Sequence, residues 1–164
     1  MQTYKEFFEE QLNFGVKYEK LAQGHIIRYI KENHDKIYKL KSEREDGEFD
    51  FDLIHEASHN IVSFEVKTDR SSRRTNNYYI EYNNGFGKPS GIEITKAHYH
   101  IITDEFDYYL IQTQILKDII ANGSWRKLAT YTKFLKNEKP ITQITSYGYI
   151  IPKDEIIQQA KRIN

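Results

Sequence analysis

Glu65 and Lys67 stand two apart in the run Val62-Ser63-Phe64-Glu65-Val66-Lys67, where apolar and polar side chains alternate. A period of two is that of a strand with one buried face, so the carboxylate and the ammonium project together from the other face. A second alternating run, Phe49 to Ile54, points Asp50 and Asp52 away from Phe49, Phe51 and Leu53. The short polar connection His55 to Asn60 makes an antiparallel hairpin the simplest pairing of the two runs. If Asp52 lies opposite Glu65, their Cβ atoms are roughly 4.5 to 5.5 Å apart, with Asp50 near Lys67. Carboxylates that close repel unless a cation lies between them, and a hard ion such as Mg²⁺ takes one or two carboxylates plus waters and substrate oxygens. An ion there polarises a phosphate oxygen and acidifies a bound water, while Lys67 holds that water or steadies charge developing on the phosphate. That chemistry is phosphodiester hydrolysis. The plainer meaning of the same pattern is a cross-strand acid and lysine pair on a solvated face, worth on the order of a few tenths of a kcal/mol.

Other chemistry-bearing patterns compete with this one. Arg70-Ser71-Ser72-Arg73-Arg74 sets three cations against Asp69. Beside a metal such a loop grips phosphates flanking the scissile one; alone it is a solvated charge run. His55-Glu56-Ala57-Ser58-His59 matches the zinc-protease pattern, but that mechanism needs both histidines on a helix. Only six residues, 55 to 60, separate the two strand-like runs, so a polar hairpin loop is expected instead. His98 and His100 have strand spacing and read as hydrogen-bonded strand histidines in preference to a metal pair. The tyrosines at 78, 79, 82, 99, 108 and 109 fall in strand-like runs, where aromatic side chains ordinarily pack.

The elements that must position these residues follow from periodicity. Residues 3 to 33 read as helical, with Gly15 expected to divide two helices and Glu19 interrupting the stripe of Ile26 and Ile30. Strands are predicted at 78–82, 98–103 and 107–111, separated by the turn chemistry of Asn83-Asn84-Gly85 and Gly87-Lys88-Pro89-Ser90-Gly91. Ile115 to Ile120 has helical spacing and Asn122-Gly123 ends that helix. Ser124 is expected to cap a short helix carrying Trp125 and Leu128. Tyr147 to Ile151 reads as a last strand and Pro152 as the opening of a last helix. The expectation is one mixed α/β domain over residues 1–164.

Composition narrows the function classes. The 164 residues carry 24 basic and 24 acidic side chains, a formal net charge of zero, so any polyanion partner needs a local cluster of cations. There is no cysteine, which removes disulfides, thiolate metal sites and cysteine nucleophiles. No run approaches the ~18 apolar residues of a membrane span, and Met1 to Glu6 lacks the basic-then-apolar start of a signal peptide. The expectation is a soluble cytoplasmic protein that does not associate with membranes.

Phe51-Asp52-Leu53-Ile54, followed by Glu65-Val66-Lys67, resembles the signature of the PD-(D/E)xK nuclease superfamily. The similarity extends through Thr68-Asp69, Tyr79-Ile80-Glu81-Tyr82, Gly87-Lys88-Pro89-Ser90-Gly91-Ile92 and Thr95-Lys96-Ala97, about residues 50 to 103. That longer string is similar to small phage and prophage nucleases related to Holliday junction resolvases. The resemblance implies a restriction-endonuclease-like mixed sheet flanked by helices, with Mg²⁺ or Mn²⁺ as cofactor. It implies Asp52, Glu65 and the backbone carbonyl of Val66 as metal ligands, Lys67 as catalytic lysine and Glu19 as an acid near the metal. Phe51 stands where the superfamily pattern has proline, and Asp50 is a competing ligand. Arg70, Arg73, Arg74, Lys88, Ser90 and Lys96 are the implied DNA contacts. The implied substrate is branched DNA, above all a four-way junction, cut by a homodimer. Alternatives are a duplex or single-strand phage nuclease and a DNA-binding module with a dead site.

Overall fold

The computed structural model describes residues 4–43, 49–136 and 139–164. Helix α1, Tyr4–His34, runs unbroken through Gly15. The expected division there does not occur. One interior glycine costs a helix only about 1 kcal/mol, and Phe14, Tyr18, Ala22 and Ile26 on either side of it pack into one continuous core. Strands β1 (Tyr38–Glu43), β2 (Phe51–His55) and β3 (Ile61–Thr68) follow as an antiparallel meander. A single turn of helix, α2 (Ser72–Thr75), leads into β4 (Asn77–Asn84) and then a 3-10 turn at Gly91–Glu93. The chain continues through β5 (Tyr99–Thr103), β6 (Tyr108–Gln112), α3 (Thr113–Asn122), β7 (Arg126–Lys136), β8 (Lys139–Pro152), α4 (Lys153–Ile157) and β9 (Lys161–Arg162).

The fold is mixed α/β. Six strands form one sheet in the order β1-β2-β3-β5-β6-β9, and β4-β8-β7 form a second. Within the larger sheet β3 and β5 are parallel and the other pairs antiparallel, so β4 is the excursion that the parallel crossover requires. α1 covers one face over Phe51, Leu53, Phe64 and Ile101. The opposite face contributes Ile102 and Ile111 to a second core with Tyr78, Ile80, Ile151, Leu116 and Ile156. Among the described residues no helix is long and apolar enough to cross a membrane.

One local expectation fails near the C-terminus. Ser124 does not cap a helix carrying Trp125 and Leu128; residues 126–136 form strand β7, and the strand predicted at 147–151 is present as the last part of the longer β8. The run Arg126 to Lys136 is rich in β-branched and aromatic residues, and pairing with β8 along its whole length decides the outcome. Gly123 does end α3, but in extended backbone at φ −100° and not in the left-handed cap. Its role is space, because a Cβ there would collide with the indole of Trp125, whose Nε1 donates to the Ile119 carbonyl at 2.8 Å.

Candidate active site

β3 positions Glu65 and Lys67 on one face, with Lys67 Nζ 3.9 Å from Glu65 Oε1. The hairpin register differs from the one that would set Asp52 against Glu65. Phe51 pairs with Phe64 and Asp52 with Ser63. Aromatic stacking of Phe51 on Phe64, centroids 5.0 Å apart, favours this register. Asp52, expected as a metal ligand, therefore lies away from the acid pocket: its side chain is buried, accepts from the Ser42 hydroxyl at 3.2 Å, and sits two pairs along the hairpin.

Asp50 takes the place expected of Asp52. It lies in a bend just before β2, its N–H bonded to the Phe64 carbonyl, and its Oδ2 accepts the Val66 N–H at 2.6 Å. The carboxylate thus satisfies a β3 amide and brings a second acid against Glu65. Glu19 of α1 joins them, lining one pocket of about 260 Å³ with Phe14, Asp50, Glu65, Val66 and Lys67.

The electrostatics of this pocket are unbalanced. Burial and then the Asp50 charge push Glu65 up to about 7, against the pull of Lys67; Glu19 and Glu81 add smaller upward contributions. Asp50 is also raised by burial, opposed by the Val66 N–H and by Lys67. Two dehydrated carboxylates facing one half-buried ammonium form a site short of positive charge. Among the described residues no three His, Asp or Glu side chains converge as a complete protein shell for a metal. Two adjacent oxygen ligands are nonetheless what Mg²⁺ or Mn²⁺ takes when water and substrate phosphate supply the rest, so the donor set fits such an ion.

Beyond Lys67 the pocket opens into a groove of about 620 Å³. Phe14, Lys67 and Thr68 line both spaces. The groove floor is one face of the smaller sheet. Tyr78, Ile80 and Ile151 turn into the second core, and the alternate residues Tyr79, Glu81 and Ile150 turn outward into the groove. Cross-strand pairs extend that row from Tyr79 through Ile150 to Arg126, and from Glu81 through Gly148 to Leu128. Gly148 leaves room for the Tyr79 ring, which a Cβ there would strike.

One wall is the Asp69–Thr75 loop. Asp69 binds the Ser71 N–H and hydroxyl at 2.9 and 2.7 Å and the Tyr79 N–H at 2.9 Å, which fastens the loop to β4. Arg74 and Arg126 line the groove from opposite sides and neither pairs with a carboxylate among the described residues. Arg70 also lines it, stacked 3.5 Å from the Phe14 ring centre and 3.4 Å from Glu105 Oε1. Arg73 lies over Phe106, outside the groove lining.

The remaining predicted contacts lie elsewhere or serve other ends. The Ser90 hydroxyl donates to Glu81 Oε1 at 2.6 Å, fixing an acid of the groove. Lys88 is exposed on the turn after β4. Lys96 adjoins Ser63, whose hydroxyl donates to its carbonyl at 3.4 Å, four residues and so roughly 13 Å along β3 from Lys67. His55 bonds Ser58 within a turn and Glu56 pairs with Lys39 at 2.5 Å, so the zinc-protease pattern lies on a loop as expected. His98 contacts the Ser63 hydroxyl at 2.7 Å and His100 that of Thr113 at 2.9 Å, and the two rings do not share a partner. The sequence does not single out Arg126, because a short helix carrying Trp125 and Leu128 is expected where β7 begins, nor Glu81 as a groove acid. The alternation Tyr79, Glu81 against Tyr78, Ile80 carries the signal for the latter.

No protein-family model, no curated protein and no solved structure matches this chain.

Proposed function

We propose that the chain is a divalent-metal-dependent nuclease in which Asp50 and Glu65 hold the ion, with Glu19 at the pocket rim and the Val66 carbonyl available to the same shell. The observation that carries this reading is the Asp50 carboxylate folded back onto Val66 beside Glu65, with Lys67 3.9 Å from Glu65 at the mouth of a groove lined by Arg74 and Arg126, which pair with no carboxylate among the described residues. Bound there, Mg²⁺ or Mn²⁺ supplies Lewis acidity and a water of lowered pKa. Lys67 donates to the attacking water or to the oxygen on which charge develops, since among the described residues it is the one cation that lines both the pocket and the groove. Arg74 and Arg126 hold phosphates on either side of the scissile one. The resemblance to junction resolvases adds branched DNA as substrate and a homodimer as the cutting species.

The test is nicking of supercoiled plasmid and cleavage of a synthetic four-way junction with Mg²⁺ or Mn²⁺. Glu65→Ala, Lys67→Ala and Asp50→Ala are expected to lose on the order of a hundredfold or more in rate, the cost of removing a group that stabilises the transition state. Equal cutting of linear duplex and junction would replace the resolvase reading with that of a duplex nuclease. Binding without cleavage in wild type and variants alike would leave a DNA-binding module.

A further inference from the structure

The groove beside the acid pocket has a floor that phosphates do not need. Tyr79, Leu128 and Ile150 present ring and alkyl surface into it from three adjacent strands, and Leu128 is 42% exposed. The other face of the same sheet is already buried in the second core, so these three side chains lie between the sheet and solvent. Arg74, on the loop before β4, and Arg126, on β7 beside Ile150, flank that row. A duplex backbone laid over this groove would engage the arginines and Lys67, but its base faces remain inside its own stack and cannot reach an apolar floor. Bases with free faces belong to unpaired nucleotides, and an apolar or aromatic platform between cations is the combination that holds them.

Resting on the nuclease reading, we infer that the groove is a subsite for unpaired nucleotides adjoining the scissile phosphate, their bases on Tyr79, Leu128 and Ile150 and their phosphates on Arg74 and Arg126. Lys67, Arg70, Arg74 and Arg126 outweigh Asp69 and Glu81 in the groove lining, which favours a polyanion as occupant, and continuity with the acid pocket through Lys67 places that strand next to the reacting bond. The preferred DNA is accordingly one with a single-stranded tail, flap or open branch point at the cut.

The experiment measures equilibrium binding of labelled DNA to the full chain with Ca²⁺ in place of Mg²⁺. The probes are a blunt duplex, the same duplex with a short single-stranded tail, and the same tail built of abasic nucleotides, which keeps every phosphate and removes every base. The base-bearing tail is expected to bind about tenfold more tightly than the abasic one. That ratio falls towards one in Leu128→Ser, a change at a partly exposed position. Equal affinity for the two tails overturns the subsite and leaves the nuclease standing. Failure of the chain to bind any of the probes overturns both.

Discussion

Asp50 and Asp52 share a side-chain type and a parity, and in an ideal strand both would face the same way. They part because β2 begins at Phe51, leaving Asp50 in a bend whose carboxylate curls back to the Val66 amide, while Asp52 is carried inside the ladder to Ser42. In a nicking assay Asp52→Asn therefore keeps activity within a few-fold of wild type, and Asp50→Asn falls with Glu65→Ala. Glu65 makes a second prediction through its protonation. Its folded-state pKa, about 7, lies above the ordinary carboxylate value because burial and Asp50 disfavour the anion. The stability this group contributes is thus present below about pH 4.5 and is lost as pH rises through 7. In urea denaturation under EDTA, Glu65→Gln is expected to exceed wild type by on the order of 2 kcal/mol at pH 8 and to match it near pH 4.5. A variant less stable than wild type at pH 8 would mean that the anion is compensated within the fold.

The loop from Asp69 to Thr75 shows how an element is positioned by one side chain. Asp69 accepts three hydrogen bonds and ties the Arg74 segment to Tyr79 of β4. Asp69→Ala should lower stability by about 2 kcal/mol, seen as a drop in thermal midpoint, and weaken DNA binding without abolishing metal uptake. In the sequence Asp69 reads as a charge offsetting the arginines and as part of the Thr68-Asp69 stretch of the resemblance, and neither reading reveals the anchor. Alternation around Glu65 and Phe51 made β2, β3 and their antiparallel pairing legible, since each run has a clear apolar face. Register was not legible, because a slip by two keeps every side chain on its face, and the Phe51–Phe64 stack and the Asp50–Val66 bond that select this pairing leave no mark in the alternation. β7 was unreadable for a different reason. Its outward row Arg126, Leu128, Thr130 faces a groove and not a core, so hydrophobicity does not mark the strand's two sides.

At the scale of the molecule, neutrality overall coexists with a local path of cations, Lys67, Arg74 and Arg126, along one groove. DNA affinity should then fall with salt, each phosphate contact contributing about 0.7 to 0.9 to the slope of log affinity against log salt, and Arg126→Ala should flatten that slope by about one contact's share. The groove depends on the smaller sheet holding its place against the larger one. Lys153, 2.7 Å from Asp104 and largely buried with it, joins the start of α4 to the turn after β5. Burial alone would raise Asp104, but the Asp107 N–H, Lys153 and the Phe106 N–H hold it below its ordinary value. Lys153→Met leaves that buried carboxylate without its counter-ion and should cost about 3 kcal/mol in chemical denaturation. The proposed metal site rests on Asp50 and Glu65 being buried side by side with Lys67 as their nearby cation. Titration of the full chain with Mn²⁺, read by calorimetry or by the paramagnetic signal of the free ion, tests this most directly. Wild type and Asp52→Asn should bind the ion alike, with affinity reduced about tenfold or more in Asp50→Asn and Glu65→Gln. Unchanged binding in those two variants, or loss in Asp52→Asn alone, would contradict the account.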